Sequence, residues 1–411
     1  MRGLDNSLQL IARGYGFLPD RRRALARRTV PARLGGMRVT GLEGPDAARF
    51  FYDEEHIRRA GAVPEPVQAT LFGKGAVHTL DGAEHRVRKA MFVALLMRED
   101  GIASLVQRAT TAWDDAVPEW SGRPRIVLLD EAARVITGAV CRWAGIPLPD
   151  DEVPAAARDL LAMVDGFATG GSRHWRARRA RHRREAWLAG LVEEVRAGTA
   201  TVPAGSAVDV VSRHRDAGGE VLEPRIAAVE LLNVVRPTVA VTWFLAFSGH
   251  ALIRWPEHRA KLASDDPAFA EAFAHEVRRF YPFAPFVGGR PPRDVEWDGR
   301  RIPRNTIVLL DLYGQNHDPE LWGDPYAFRP ERFLSDGHVR EIGAFELIPQ
   351  GAGDPRTGHR CPGEQIVVAL LAALAGRLAR LRFDVPEQDL EIPLDRIPAR
   401  PRSGVVLQVL S

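Results

Sequence analysis

The sequence predicts a mainly α-helical protein with one long central helix and small sheets at its periphery. Three observations carry this. Apolar residues recur at helical spacing over most of the chain. The stretch 225–253 is apolar on most faces and follows Glu223-Pro224, proline being suited to a first helical turn. Strand patterns are few and short. The 411 residues are 45% hydrophobic and 27% charged, the mix of a soluble globular protein. That mix excludes wholesale disorder, a collagen-like repeat and a disulfide scaffold.

Helices are expected at 83–98, 101–118, 131–144, 154–167, 176–197, 225–253, 267–281 and 362–382. The 225–253 helix, about 28 residues, would be ~42 Å long at 1.5 Å per residue, enough to cross the domain. Its apolar faces place it in the core. Val295 to Ile302 holds Asp298-Gly299 between alternating residues, a hairpin pattern. Thr306–Leu310 and Gly404–Leu410 read as further short strands. No repeat or linker divides the chain, so 1–411 is expected to form one domain.

Charge says little about partners. Basic and acidic residues number 56 and 53, for a net +3. Lys74, Lys89 and Lys261 are the lysines and the other basic residues are arginines, a bias that fits a GC-rich coding sequence. A net +3 is a weak argument for nucleic acid. The run Arg173–Arg184 holds seven arginines. It is short and has one interleaved aromatic, Trp175, so a solvated helix face or a channel mouth that attracts carboxylates is expected, not a nucleic-acid surface. Two cysteines, Cys141 and Cys361, suggest a reducing compartment. No apolar run is read as reaching the ~18 residues of a bilayer span. Met1 to Asp20 lacks the basic-then-apolar pattern of a leader. The expectation is a cytoplasmic enzyme with no membrane anchor.

The most informative stretch runs from Gln350 through Gly351-Ala-Gly353 to His359-Arg360-Cys361-Pro-Gly-Glu-Gln, then into an apolar helical run. A cysteine at a helix start faces unpaired backbone N–H groups and the positive end of the dipole. Both favour thiolate and a lowered pKa. The flanking glycines would let a bulky planar partner approach. The reading is a thiolate held as a nucleophile or as a metal ligand. A nucleophile needs a base that the sequence does not place. Structural zinc needs four ligands, whereas haem needs a single axial cysteine. Cys141, in Val-Cys-Arg-Trp-Ala-Gly, reads as a core residue.

Three more segments turn this into a resemblance. Glu276-Val-Arg-Arg279 resembles the ExxR pair of the cytochrome P-450 superfamily, and Phe328-Arg-Pro-Glu-Arg332-Phe resembles its PERF element. Asn316-His-Asp-Pro-Glu-Leu-Trp-Gly-Asp-Pro is similar to the stretch before it. The resemblance implies the cytochrome P-450 haem-thiolate fold, haem b, and Cys361 as axial ligand of its iron. ExxR spacing puts Glu276 and Arg279 on one helix face, and Arg332 would complete an ion triad of structural role.

Two departures point to a subgroup. Ordinary cytochrome P-450 oxygenases carry an acid–alcohol pair in the long helix. Here that helix reads Leu232-Asn-Val-Val-Arg236-Pro237-Thr-Val-Ala240, with no acid beside a hydroxyl. The cysteine loop is also long, with seven residues between Gly353 and Cys361. Both features resemble the bacterial fatty-acid peroxygenases, as do Leu71-Phe72-Gly73, His174-Trp175 and Tyr281-Pro-Phe-Ala-Pro-Phe286. The resemblance implies fatty acid and hydrogen peroxide as substrates, with no obligatory redox partner. It implies that Arg236 binds the carboxylate, that Pro237 shapes the helix, and that Phe72, Phe167 and Phe286 line the chain pocket. His85, Lys89, His359 and Tyr281 would contact the haem propionates. His78 stands where relatives carry glutamine, associated with hydroxylation, or histidine, associated with terminal-alkene formation. Physically, histidine titrates near neutral pH and would donate a proton or steer the carboxylate. A buried guanidinium requires an anion, which a fatty-acid carboxylate supplies. The competing readings are a reductase-dependent monooxygenase and a non-catalytic haem or fatty-acid binder.

Overall fold

The computed structural model describes residues 5–167 and 169–411. Met1–Leu4, the start of the stretch expected to carry no leader, lie outside the described residues. Seven of the eight expected helices form as single helices, and the long one divides. They are α1 (Gly82–Leu96), α2 (Glu99–Ser121), α3 (Leu128–Ala144), α4 (Val153–Asp165) and α5 (Gly171–Ala197), then the long stretch, then α8 (Pro267–Phe280) and α9 (Glu364–Arg380).

The long stretch departs from expectation. It divides into α6 (Pro224–Val239) and α7 (Val241–Arg254), with Ala240 between them. Pro237 lacks the N–H that would bond back to Asn233, so the regular ladder loses a rung there. Around the break, Ala240 N–H still reaches Arg236 O at 2.9 Å, while Trp243 N–H takes a tighter three-residue bond to Ala240 O at 3.1 Å. Together Pro224–Arg254 are long and apolar enough to cross a membrane, contrary to the expectation that no run reaches that length. Their most apolar window is 94% buried in the protein itself. Val235 and Val239 of α6 and Trp243 and Phe247 of α7 pack with Ile136 and Val140 of α3 and Leu370, Leu371 and Leu374 of α9. Cys141 lies in this core, and burial pushes its thiol up to about 12, as suits a packing residue.

The sheets are small. The expected strand at 306–310 is β4 (Ile307–Asp311), inside a four-stranded sheet with β1 (Val30–Leu34), β2 (Met37–Leu42) and β3 (Phe286–Gly289), in the order β1-β2-β4-β3. β2 runs parallel to β4, with Val39 opposite Ile307. The 295–302 hairpin forms as expected, and Val406–Val409 pairs with Phe383–Asp384 and Ile126–Val127. The helices Ser7–Arg13, Phe17–Leu25, Pro45–Tyr52, Ala207–Arg213 and Glu257–Ala263 were not expected. Two turns show too little of a 3.6-residue period to stand out.

The arginine run on α5 is not a uniformly solvated face. Arg181 is buried, bonded to Glu185 and to Leu71 O, both at 2.6 Å. Arg184 pairs with Asp159 at 2.9 Å and Arg173 with Asp165 at 3.1 Å, which leaves Arg176 and Arg179 exposed. A helix packed against both α4 and α6 turns part of any dense charge run inward. Lys74 and Lys261 are exposed, beside Glu65 and Glu331, whereas Lys89 is buried.

The expected ion triad is present and buried. Glu276 accepts from Arg279 at 2.7 Å and from Arg332 at 3.1 Å. Arg279 also donates to the carbonyls of Asn316 and Pro325, and Arg332 to that of Trp322. The triad thus ties α8 to the 316–332 loop.

Candidate functional site

Cys361 lies two residues ahead of Gly363, the N-cap of α9. Its N–H bonds to Gln350 O at 3.1 Å. The loop is fastened to α8 by Arg278, next to the ExxR pair. Arg278 donates to Gln350 Oε1 at 3.0 Å and pairs with Glu364, which Arg360 also holds at 2.6 Å. Burial raises the Glu364 carboxyl, but Arg278 and Arg360 outweigh it and hold the group below its ordinary value. Sequence reading missed this second ion cluster, which does for the cysteine loop what the triad does for its neighbour.

Two expectations about the loop need correction. The thiol of Cys361 is pushed up, not down, because burial outweighs the Gly363 N–H, Lys89 and Arg278. A thiol in this setting is kept ionised by coordination to a metal cation rather than by the helix end. Nor does Gly351 leave room for a planar partner. At φ +96°, it presses on Tyr52, and a Cβ there would sit 2.5 Å from the Tyr52 hydroxyl.

Across from the thiol, α6 and the 72–78 segment bring Phe72, His78 and Arg236 together. His78 stacks on Phe72 with ring centroids 4.4 Å apart, and the Arg236 guanidinium lies 6.0 Å from the Phe72 ring. Arg236 is 5% exposed. Its Nη2 donates to Asn233 Oδ1 at 3.3 Å, its Nε has no partner, and among the described residues no carboxylate pairs with it. Its pKa is lowered to about 9, by burial first and then by the Arg181 charge, with Cys361 acting the other way. An internal salt bridge, the plain alternative for this residue, is therefore absent. His78 does not titrate near neutrality as expected. Burial first, then the Arg236 charge, hold it well below the ordinary histidine value. It is a neutral ring whose Nδ1 is buried and without a hydrogen-bond partner. On α6 the Thr238 hydroxyl is spent on Val234 O at 2.9 Å.

Residues 266–407 match the sequence profile of the Cytochrome P450 family. Among curated proteins, mouse cytochrome P450 1A2 is 29% identical over 199 residues, 42% of this chain and 37% of that protein. Cytochrome P450 1A1 of Pleuronectes platessa is 35% identical over 158 residues, 36% of this chain and 28% of that protein. The chain thus spans about a third of the length of these curated relatives. Among solved structures, cytochrome P450SP alpha (CYP152B1) in complex with (R)-ibuprofen is 43% identical, covers 99% of both chains and superposes with a TM-score of 0.94. The chain belongs to the cytochrome P450 family. A variant of cytochrome P450 OleT in complex with arachidonic acid is 36% identical, with 99% of this chain and 97% of that one covered and a TM-score of 0.94.

A cytochrome P450 carries a haem-thiolate iron. The donor set fits one. Cys361 would supply the single thiolate; Lys89 and Arg236 each lie close enough to it to feel its charge, and His78 feels the charges of Arg236 and Lys89. His85 Nδ1, His78 Nδ1 and Arg236 Nε are buried without hydrogen-bond partners. Of the four predicted propionate contacts, three gather. His85 and His359 stack at 3.9 Å. Both are lowered, to about 3 and about 4, chiefly by burial. Lys89 is the cation, brought down to about 8 by burial, and its Nζ donates to Arg360 O at 2.6 Å. Tyr281 does not join them. Its hydroxyl bonds His250 at 2.8 Å and its ring stacks on Phe247. Of the predicted pocket aromatics, Phe72 is at the site. Phe286 packs beside Phe17, Leu18 and Leu309, and Phe167 sits in the turn after α4, with no aromatic contact to Phe72 or His78 among the described residues. A cavity of about 1020 Å³ reaches Cys361 from the other side, between α2 and α9, and is lined by none of Arg236, Phe72 or His78.

Proposed function

We propose that the whole chain, 1–411, is one haem-thiolate domain that oxidises fatty acids at Cα and Cβ with hydrogen peroxide. Its products would be hydroxy fatty acids, terminal alkenes by oxidative decarboxylation, or both. The observation that carries this is Arg236, a buried guanidinium without an acid partner among the described residues, beside Phe72 and near enough to Cys361 to feel its charge. Desolvating such a charge costs several kcal/mol, and an anionic ligand that forms a bidentate pair recovers it. The two similar solved structures support the reading, since both hold carboxylic acids.

Haem b, when bound at Cys361, supplies peroxide activation and the oxidising power. The chain's own residues do the rest. Arg236 fixes the carboxylate, which places Cα and Cβ nearest the reacting centre. Pro237, next to Arg236, removes one rung of the helix ladder three residues before the break at Ala240. The fixed carboxylate is an acid–base group in the place where ordinary oxygenases use an acid–alcohol pair, and because hydrogen peroxide already carries the two electrons that a redox partner would deliver to dioxygen, no such partner is needed. His78, neutral and stacked on Phe72, steers the carboxylate by hydrogen bonding and biases the product.

The test is product analysis. Purified haem protein is incubated with a saturated fatty acid and hydrogen peroxide, without reductase, and analysed by gas chromatography and mass spectrometry. Hydroxy acids, or the alkene one carbon shorter, are expected. Turnover that ignores peroxide and requires a flavin or ferredoxin donor would replace this reading with a monooxygenase. Binding without product would replace it with a carrier.

A further inference from the structure

Helix α6 carries a buried acid that the reaction does not use. Glu230 is 0% exposed and lies six residues ahead of Arg236. Its Oε1 accepts from Val77 N–H and from Arg88 Nη1, both at 2.8 Å. Its Oε2 accepts from Asn233 Nδ2 at 3.0 Å. The same amide donates to Phe72 O at 2.9 Å, and its oxygen takes Arg236 Nη2 at 3.3 Å. One carboxylate is therefore linked to the backbone beside His78 and, through Asn233, to the backbone of Phe72 and to Arg236. The segment between these points is pressed onto the same helix edge. A Cβ on Gly75 would sit 2.7 Å from Ile226, and one on Gly73 2.6 Å from Val229.

The arrangement solves a charge problem. A single amide, Asn233, separates the Glu230 carboxylate from the Arg236 guanidinium, and a carboxylate that paired with Arg236 would leave it no charge for a ligand. Here Arg88, from α1, takes the ion pair, and the neutral Asn233 amide stands between Glu230 and Arg236. Arg181, the other guanidinium close by, is taken by Glu185 and Leu71 O.

We infer that Arg88 and Glu230 are positioning residues: Arg88 holds the Glu230 carboxylate off Arg236, which keeps that guanidinium free for the substrate carboxylate while Glu230 sets the segment bearing His78. The inference rests on Arg236 being the fatty-acid anchor.

Affinity for myristate, measured calorimetrically on the haem protein, tests it. Arg88→Met strips Glu230 of its partner, and the freed carboxylate competes for Arg236. Affinity then falls by on the order of tenfold or more, the size of one buried charge contact. Adding Glu230→Gln removes the competitor and restores affinity. Because Glu230→Gln would also relieve a scaffold of its unpaired charge, the recovery is read beside Asn233→Asp, which keeps the Arg88–Glu230 pair in place. Where Arg88→Met does not fold, Asn233→Asp, nearly identical in size, puts a carboxylate against Arg236 and gives the same loss. Wild-type affinity in Arg88→Met or Asn233→Asp, or no recovery in the double variant, overturns the inference and leaves the peroxygenase reading standing. A wild-type protein that binds no fatty acid overturns both.

Discussion

Arg236 is costly to the folded protein and valuable to its ligand, and the two effects separate experimentally. Arg236→Leu removes a buried charge that has no acid partner, so thermal stability is expected to hold or rise. Fatty-acid affinity should fall by about 100-fold, since truncating one side of a buried carboxylate pair removes several kcal/mol. A binding titration and a melting curve on one preparation decide it; a loss of stability with affinity intact would refute the assignment. His78 makes a second claim at this scale. Burial and the Arg236 charge keep it neutral, so the ratio of alkene to hydroxy acid should be flat between about pH 6 and pH 8. His78→Gln should move that ratio toward hydroxy acids, and a ratio that follows a titration near neutrality would show that the ring is a proton donor after all. The sequence made both residues conspicuous, Arg236 as a charge inside an apolar helix and His78 through the resemblance. It did not make their electrostatics legible, because burial and the approach of Arg181 and Cys361 depend on contacts far apart in the chain.

At the scale of elements, the site is a strap laid across a helix. Glycine is required at 73 for two reasons: its φ is +88°, and a Cβ there would stand 2.3 Å from Arg181 Nη2. Gly73→Ala should cost about 1–3 kcal/mol, from backbone strain plus overpacking. It should also shift Phe72 and weaken fatty-acid binding, which chemical denaturation and a ligand titration would show together. Long periodic helices were readable because α2, α3 and α8 repeat their apolar spacing over several turns. The break at Ala240 was signalled only as a kink at Pro237. Pairing of β2 with β4 joins residues 39 and 307, a distance no local pattern spans. The polar edge Glu230, Asn233, Arg236 was in view as interruptions of an apolar run, but its partners Val77, Phe72 and Arg88 were not.

Over the whole molecule, buried charge is spent on holding loops. Arg332→Ala takes one cation from the triad and leaves Glu276, itself fully buried, with Arg279 alone. A loss of about 3 kcal/mol is expected, with a lower haem-to-protein ratio as the 316–332 loop loosens. Melting temperature and absorbance would report the two effects. Acid should also unfold the protein through its buried imidazoles. His250, bonded to Tyr281, takes up a proton at its ordinary 6.5 in the unfolded chain but only near about 4 in the folded one, chiefly because of burial. Between those values the unfolded state binds more protons, so stability falls as pH drops through the window and is unaffected above it. His250→Phe should flatten that part of the stability–pH curve.

The distribution of basic residues also decides how the protein is best handled. With so few lysines and Lys89 buried, amine-reactive reagents find Lys74 and Lys261 as exposed side-chain amines. Lys74 sits between Gly73 and Gly75 in the strap, so acylating it tethers a dye or a resin to the segment that carries His78. Lys261 is on the Glu257–Ala263 helix, outside the strap. Lys74→Arg therefore leaves one exposed side-chain amine for oriented immobilisation, with the fatty-acid site free of label.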